Sequence, residues 1–209
     1  IGLIETLRVA DGAPQHLDAH LARLANSAAS LGLPCDREAV RAAVIARCTG
    51  AHSTRRLKIT LHRDGTPQLD LAPLDPIMRD VLILEHPEAL PDRDPLRRYK
   101  TTHRAHLDRI WRAATARGAF DALLYNESGE LLEGARSSVF LRIDGAWHTP
   151  PLALDILPGI ARARLLAEPT LIGATHIAET RLSRADVARA DTLLLTNSLR
   201  GVLTAHLIA

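Results

Sequence analysis

The sequence predicts a mixed α/β (α+β) fold in two lobes, and three observations carry that reading. Helix-period and strand-period segments alternate along the whole 209-residue chain. Apolar residues make up 46% of it, enough to build a buried core. Near the middle, residues 86–98 (HPEALPDRDPLRR) hold three prolines and many charges with no apolar period, and read as a linker. On this reading residues 1–85 form a small N-terminal α/β lobe and residues 99–209 a larger C-terminal lobe.

Each element follows from its own pattern. Residues 2–9 alternate as a strand, and Asp11-Gly12 is a turn signal. Leu17, Leu21, Leu24, Ala28 and Leu31 recur at helical spacing before Gly32 and Pro34 stop the helix. Asp36 can cap a second helix that runs to Cys48. Residues 55–63 and 67–73 flank Asp64-Gly65 as a hairpin, and 80–85 read as a further strand. Beyond the linker the pattern gives a helix over 101–117 and strands at 120–125, 130–133, 137–143 and 147–149. Pro158-Gly159 opens a helix to about residue 167. A strand near 175–180, a helix at 183–189 and strands at 191–196 and 201–207 follow.

Composition excludes several function classes. The net charge is +2 with the two signs interleaved, so no clustered nucleic-acid footprint is present. No apolar run reaches the roughly 18 residues of a membrane helix. No signal peptide is visible, and Ile1 is not expected to be the true start. Cys35 and Cys48 flank a helix whose ends, at ~1.5 Å per residue, lie too far apart to bridge. They read as free thiols of a cytoplasmic protein. His103 and His106 stand at i, i+3 spacing without a third ligand, so no metal site is expected.

The chemistry-bearing residues are few. Only two of the 26 basic residues are lysines, Lys58 and Lys100. Lysine alone among the cationic side chains offers a primary amine that can lose its proton and attack a carbonyl. Glu133 stands at the end of a short strand. Residues 157–162 (LPGIAR) turn into a helix whose first N–H groups favour an anion. Residues 196–201 (TNSLRG) close a strand with hydroxyls, backbone amides and a guanidinium, a set suited to phosphate or carboxylate oxygens.

Each signal is weak alone, but their order is specific. The stretches YKTTHRAHLDRIWRAA, FDALLYNESGELLEGARSSVFLRIDGAWHTPPLALDILPGIARARLL and ADTLLLTNSLRGVLTAHL resemble the fold-type IV pyridoxal-phosphate enzymes, as does IETLRVADG followed by LDAHLARLANSAASLGL. That family includes branched-chain and D-amino-acid aminotransferases and aminodeoxychorismate lyase. The Lys-Thr-Thr-x-Arg run at 100–104 and Asn-Ser-Leu-Arg-Gly at 197–201 resemble its lyase branch most.

The resemblance implies a small α/β lobe and a larger lobe built on a β-barrel-like sheet with helices. It implies pyridoxal 5'-phosphate as cofactor, Lys100 as the Schiff-base lysine and proton shuttle, and Glu133 at the pyridine nitrogen. Arg23, the backbone of Ile160 and Ala161, and the Ser198 hydroxyl would contact the phosphate. Leu199 and Arg200 would line the substrate side, with Arg8 and Arg200 paired to substrate carboxylates. The implied reaction converts 4-amino-4-deoxychorismate to para-aminobenzoate and pyruvate. The alternatives are transamination of D- or branched-chain amino acids, or a non-catalytic homologue. A homodimer is implied, with an aminodeoxychorismate synthase as a further partner.

Overall fold

The computed structural model describes residues 1–208, which divide into two compact units. The first comprises residues 1–77 and 99–103, and the second residues 78–98 and 104 onward. The boundary expected at residue 85 is therefore displaced. The strand at 80–85 joins the larger sheet, and the segment after the expected linker returns to the smaller unit.

In the first unit, β1 (Leu3–Ala10), β2 (Ala13–Pro14), β3 (Thr54–Leu61) and β4 (Pro67–Pro73) form an antiparallel sheet in the order β2-β1-β3-β4. Helices α1 (Leu17–Ser30) and α2 (Arg37–Cys48) pack with it. Leu3, Leu7 and Val9 from β1 and Leu57, Ile59 and Leu61 from β3 meet Leu21, Leu24 and Ala28 of α1 and Val40 and Val44 of α2. Each such buried aliphatic side chain contributes about 1.5–3 kcal/mol of transfer free energy. Asp36 caps α2 by accepting from the N–H groups of Glu38 and Ala39 at 3.1 and 3.0 Å. Cys35 and Cys48, at the two ends of α2, are both free thiols.

Strand β2 covers only Val9 and Ala10, so the other end of β1 keeps an open edge. Residues 99–103 fill it. Thr101 bridges Leu3, the Ile4 N–H donates to the Lys100 carbonyl at 2.7 Å, and the Thr102 N–H donates to the Gly2 carbonyl at 2.9 Å. Gly2 is required there, because a Cβ would sit 2.6 Å from the Leu61 carbonyl oxygen. This pairing explains why the helix expected over 101–117 starts only at residue 105: the preceding residues lie extended along β1.

The second unit holds an eight-stranded curled sheet, a half-barrel, in the order β10-β9-β8-β11-β12-β5-β6-β7. Its strands are β5 (Asp80–Glu85), β6 (Asp121–Tyr125), β7 (Leu131–Gly134), β8 (Ser138–Ile143), β9 (Ala146–Thr149), β10 (Ile177–Glu179), β11 (Thr192–Asn197) and β12 (Gly201–Leu207). The β12–β5, β5–β6 and β9–β10 pairs are parallel and the rest antiparallel. Helices α3 (Ala105–Ala116), α4 (Ile160–Ala167) and α5 (Arg184–Arg189) accompany it. The strands are sided. Val139, Leu141, Leu193 and Leu195 enter one core, while Phe140 and Leu194 pack with Leu165 of α4 on the opposite face. The expected linker is tied down in this unit: Leu90 is buried, and its N–H donates to the Tyr125 carbonyl at 2.8 Å.

Replacing Asp36 with Ala removes the Oδ1 that accepts both N–H groups at the start of α2. We expect a loss of about 1 kcal/mol, read as a melting temperature lower by about 2–4 °C. An unchanged melting curve would show that water replaces the cap without cost.

Candidate active site

Glu133 lies near the end of β7 and is buried. Its only hydrogen bonds among the described residues come from the Leu157 N–H, at 3.3 Å to each carboxyl oxygen, and it forms no ion pair there. Burial pushes its carboxyl up to about 8, because one backbone N–H and the more distant Arg97 and Arg104 do not replace lost hydration. The turn after β7 is fixed by Asp121, which is fully buried at the start of β6. Its carboxylate accepts from the Ser137 hydroxyl at 2.6 Å and from the N–H groups of Arg136 and Ala122 at 3.0 and 2.9 Å. Burial raises Asp121 as well, against those three donors.

From Leu157 the chain runs through Pro158 to Gly159, which starts α4 without any side-chain cap. The first N–H groups of α4, including those of Ile160 and Ala161, thus face outward from an uncapped end. A Cβ on Gly159 would stand 2.7 Å from the Ser138 hydroxyl oxygen, so the helix start lies directly over β8. Ser138 pairs across the sheet with Thr196, whose hydroxyl is buried and has no hydrogen-bond partner among the described residues. Ser198, Leu199 and Arg200 follow at the tip between β11 and β12. The Asn197 side chain shapes that tip, accepting from the Leu199 and Arg200 N–H groups at 3.1 and 2.9 Å.

The remaining candidates, Lys100, Arg23 and Arg8, belong to the first unit. Lys100 is half-buried in the segment paired to β1. Arg23 is not a solvated helix residue. It grips Glu5 through two bonds, Nε to Oε1 at 2.8 Å and Nη2 to Oε2 at 2.6 Å, and His20 Nδ1 lies 2.6 Å from the same Oε2. Burial would raise the Glu5 carboxyl, but Arg23 and then His20 outweigh it and hold it at about 2. Arg8 lies exposed on β1, one residue out of step with the core-facing Leu7 and Val9, and reaches the Thr54 hydroxyl at 3.5 Å. It is therefore on the opposite sheet face from Glu5.

Glu5, His20 and Asp121 were not singled out from the sequence, and Thr196 was read only as one hydroxyl of the 196–201 run. Glu5 left a signal: it shares the period-2 face of Leu3, Leu7 and Val9, where a carboxylate must find a buried partner. Asp121 sits in an apolar strand without alternation and left none.

The class IV aminotransferase model matches residues 2–208. The chain belongs to the class IV aminotransferase family. Among relatives of this family, a Schizosaccharomyces pombe protein provisionally named aminodeoxychorismate lyase is 29% identical over 203 residues, covering 95% of this chain and 86% of its own. A crystal structure from Mesorhizobium loti, provisionally named an amino-acid aminotransferase, superposes with a TM-score of 0.89 at 33% identity, over 99% of each chain. One from Legionella pneumophila, provisionally named 4-amino-4-deoxychorismate lyase, gives 0.86 at 26%, over 99% of this chain and 82% of that one. An aminotransferase from Mycobacterium tuberculosis has been solved with pyridoxal phosphate bound, and gives 0.82 at 26%, over 99% and 81%.

Enzymes of the class IV family use pyridoxal phosphate. The second unit's residues fit that group. A buried carboxyl without a cation suits a protonated ring nitrogen, and an uncapped helix start beside an unpartnered hydroxyl suits a phosphate. Leu157, which touches Glu133, and Gly159, which covers Ser138, are two residues apart, at most about 7 Å along the chain. One small molecule carrying both groups can therefore meet both features.

Two pH effects follow. In the protein without cofactor, the Glu133 carboxyl stays protonated until about 8 while the unfolded chain ionises near 4.5. Its contribution to stability is full below 4.5 and lost as pH rises through 8. Glu133→Gln should therefore melt with the wild type at pH 4 and about 3 °C or more above it at pH 8; equal curves at pH 8 would contradict the burial argument. Glu5 has the opposite sign. It is held at about 2 when folded, against 4.5 otherwise. It contributes about 3 kcal/mol above pH 4.5 that is lost as pH falls through 2. Denaturant titrations of Glu5→Gln should show less acid sensitivity than the wild type over that window.

Proposed function

We propose that this chain is a pyridoxal-phosphate-dependent lyase that converts 4-amino-4-deoxychorismate to para-aminobenzoate and pyruvate. The observation that carries the cofactor assignment is the buried, cation-free carboxyl of Glu133 beside the uncapped start of α4. What favours the lyase reaction is the likeness to the S. pombe relative, which runs through 95% of the chain.

In this reading Lys100 anchors the cofactor through its amine. Its free amine would take and return the proton at the amine-bearing carbon of the substrate. When bound, the cofactor supplies an electron sink for the charge left on that carbon. Glu133 accepts the ring-nitrogen N–H and keeps that proton in place. Arg23, the Ile160 and Ala161 N–H groups and Ser198 hold the phosphate. Arg8 and Arg200 meet the substrate carboxylates, and Leu199 lines the substrate side. Loss of the enolpyruvyl group leaves an aromatic ring, and that gain drives elimination ahead of amino-group transfer. The same reading makes the protein a cytoplasmic homodimer supplied by an aminodeoxychorismate synthase.

Amino-group transfer is the second reading, favoured by the likeness to the M. loti aminotransferase at 33% identity. One comparison separates the two. Purified protein is mixed with chorismate, glutamine and an aminodeoxychorismate synthase, and para-aminobenzoate is measured. In parallel it is given a D- or branched-chain amino acid with a 2-oxo acid. We expect para-aminobenzoate from the wild type and none above background from Lys100→Ala. Amino-group exchange without para-aminobenzoate would replace the lyase with the aminotransferase. Wild-type turnover by Lys100→Ala would end both.

A further inference from the structure

We infer that Thr196 is a phosphate ligand: its hydroxyl and the first N–H groups of α4 together form one anion cradle in the second unit. The inference rests on the pyridoxal-phosphate reading and adds to it a residue outside the contacts named above.

Thr196 is 2% exposed, and its Oγ1 has no hydrogen-bond partner among the described residues. A buried hydroxyl without a partner costs about 1–3 kcal/mol, and native proteins keep few of them. Valine has nearly the same shape and would fill the position without that cost. A threonine there calls for a partner that arrives from outside the chain.

The fold shows where that partner arrives. Thr196 and Ser138 are directly opposed on β11 and β8, so their side chains share one face of the sheet. Two residues along each strand, Leu194 and Phe140 lie on that same face and pack with Leu165 of α4. Helix α4 therefore covers this face, and its start at Gly159 stands over Ser138. The hydroxyl of Thr196 is thus on the side, and at the end, where the uncapped N–H groups of α4 emerge. Helix dipole, free donors and a buried hydroxyl converge on one anion. Glu133 bonds the Leu157 N–H two residues before Gly159, so the cradle lies one ligand's length from the carboxyl.

The test separates phosphate binding from general binding. Cofactor-free wild type, Thr196→Val and Thr196→Ser are titrated with pyridoxal phosphate, with pyridoxal, which lacks the phosphate, and with inorganic phosphate. We expect Thr196→Val to bind pyridoxal phosphate about 10–100-fold more weakly, as loss of one hydrogen bond to a charged group requires. Its affinity for pyridoxal should stay within about 2-fold and its affinity for phosphate should fall, while Thr196→Ser retains wild-type values. The cofactor-free Val variant should melt at or above the wild-type temperature. A Val variant that binds pyridoxal phosphate like the wild type, or that loses both pyridoxal compounds equally, overturns the assignment. If the wild type itself prefers neither pyridoxal phosphate over pyridoxal nor phosphate over chloride, the cofactor reading fails along with it. The phosphorus resonance of bound pyridoxal phosphate gives a second readout, expected to move in Thr196→Val and not in Thr196→Ser.

Discussion

A carboxyl group has been taken out of water at Glu133 and given one backbone N–H in exchange. No cation comes within ion-pairing distance among the described residues, and burial raises the group to about 8. Transfer of a charged carboxylate into such a place costs several kcal/mol unless something compensates it. The rest of the second unit's site is organised around that deficit. Asp121 and Ser137 fix the turn after Glu133 through the Ser137 hydroxyl. Leu157 lies against it and leads straight into α4. In the proposed function, a ligand with a cationic ring nitrogen would remove that deficit, and its phosphate would meet the helix start.

The two buried glutamates show how the same residue type is set to opposite tasks. Glu5 sits on the core face of the small sheet with Arg23 and His20 bonded to it, and is ionised down to about 2. Its charge is spent inside the protein, orienting the Arg23 guanidinium. Glu133 has no such partner among the described residues, and burial keeps its carboxyl protonated up to about 8. Burial acts upward on both, and the difference lies in the guanidinium alongside.

Much of the fold was legible in the sequence because it is written in local periodicity. The Leu17–Leu31 spacing, the Asp36 cap and the Pro-Gly entry to α4 all appear close to their expected positions. The unit boundary was not legible, because Thr101 pairs with Leu3 across about a hundred residues and no local pattern encodes that bridge. The site divides the same way. Glu133 and the residue 157–162 turn could be nominated from type and order. The unpartnered hydroxyl of Thr196 could not, since its lack of a partner is a property of the packing around it. The identity of the reaction is the least local feature of all: in the proposed function, Lys100 and Glu133 would serve elimination and amino-group transfer alike.

In the proposed function, Glu133 holds a proton on the ring nitrogen of a bound cofactor. Pyridoxal phosphate labelled with nitrogen-15 in the ring tests it directly, because the nitrogen resonance reports protonation at that atom. The account predicts a protonated ring nitrogen in the wild type at pH 8 and an unprotonated one in Glu133→Gln under the same conditions. An identical resonance in the two proteins would contradict it.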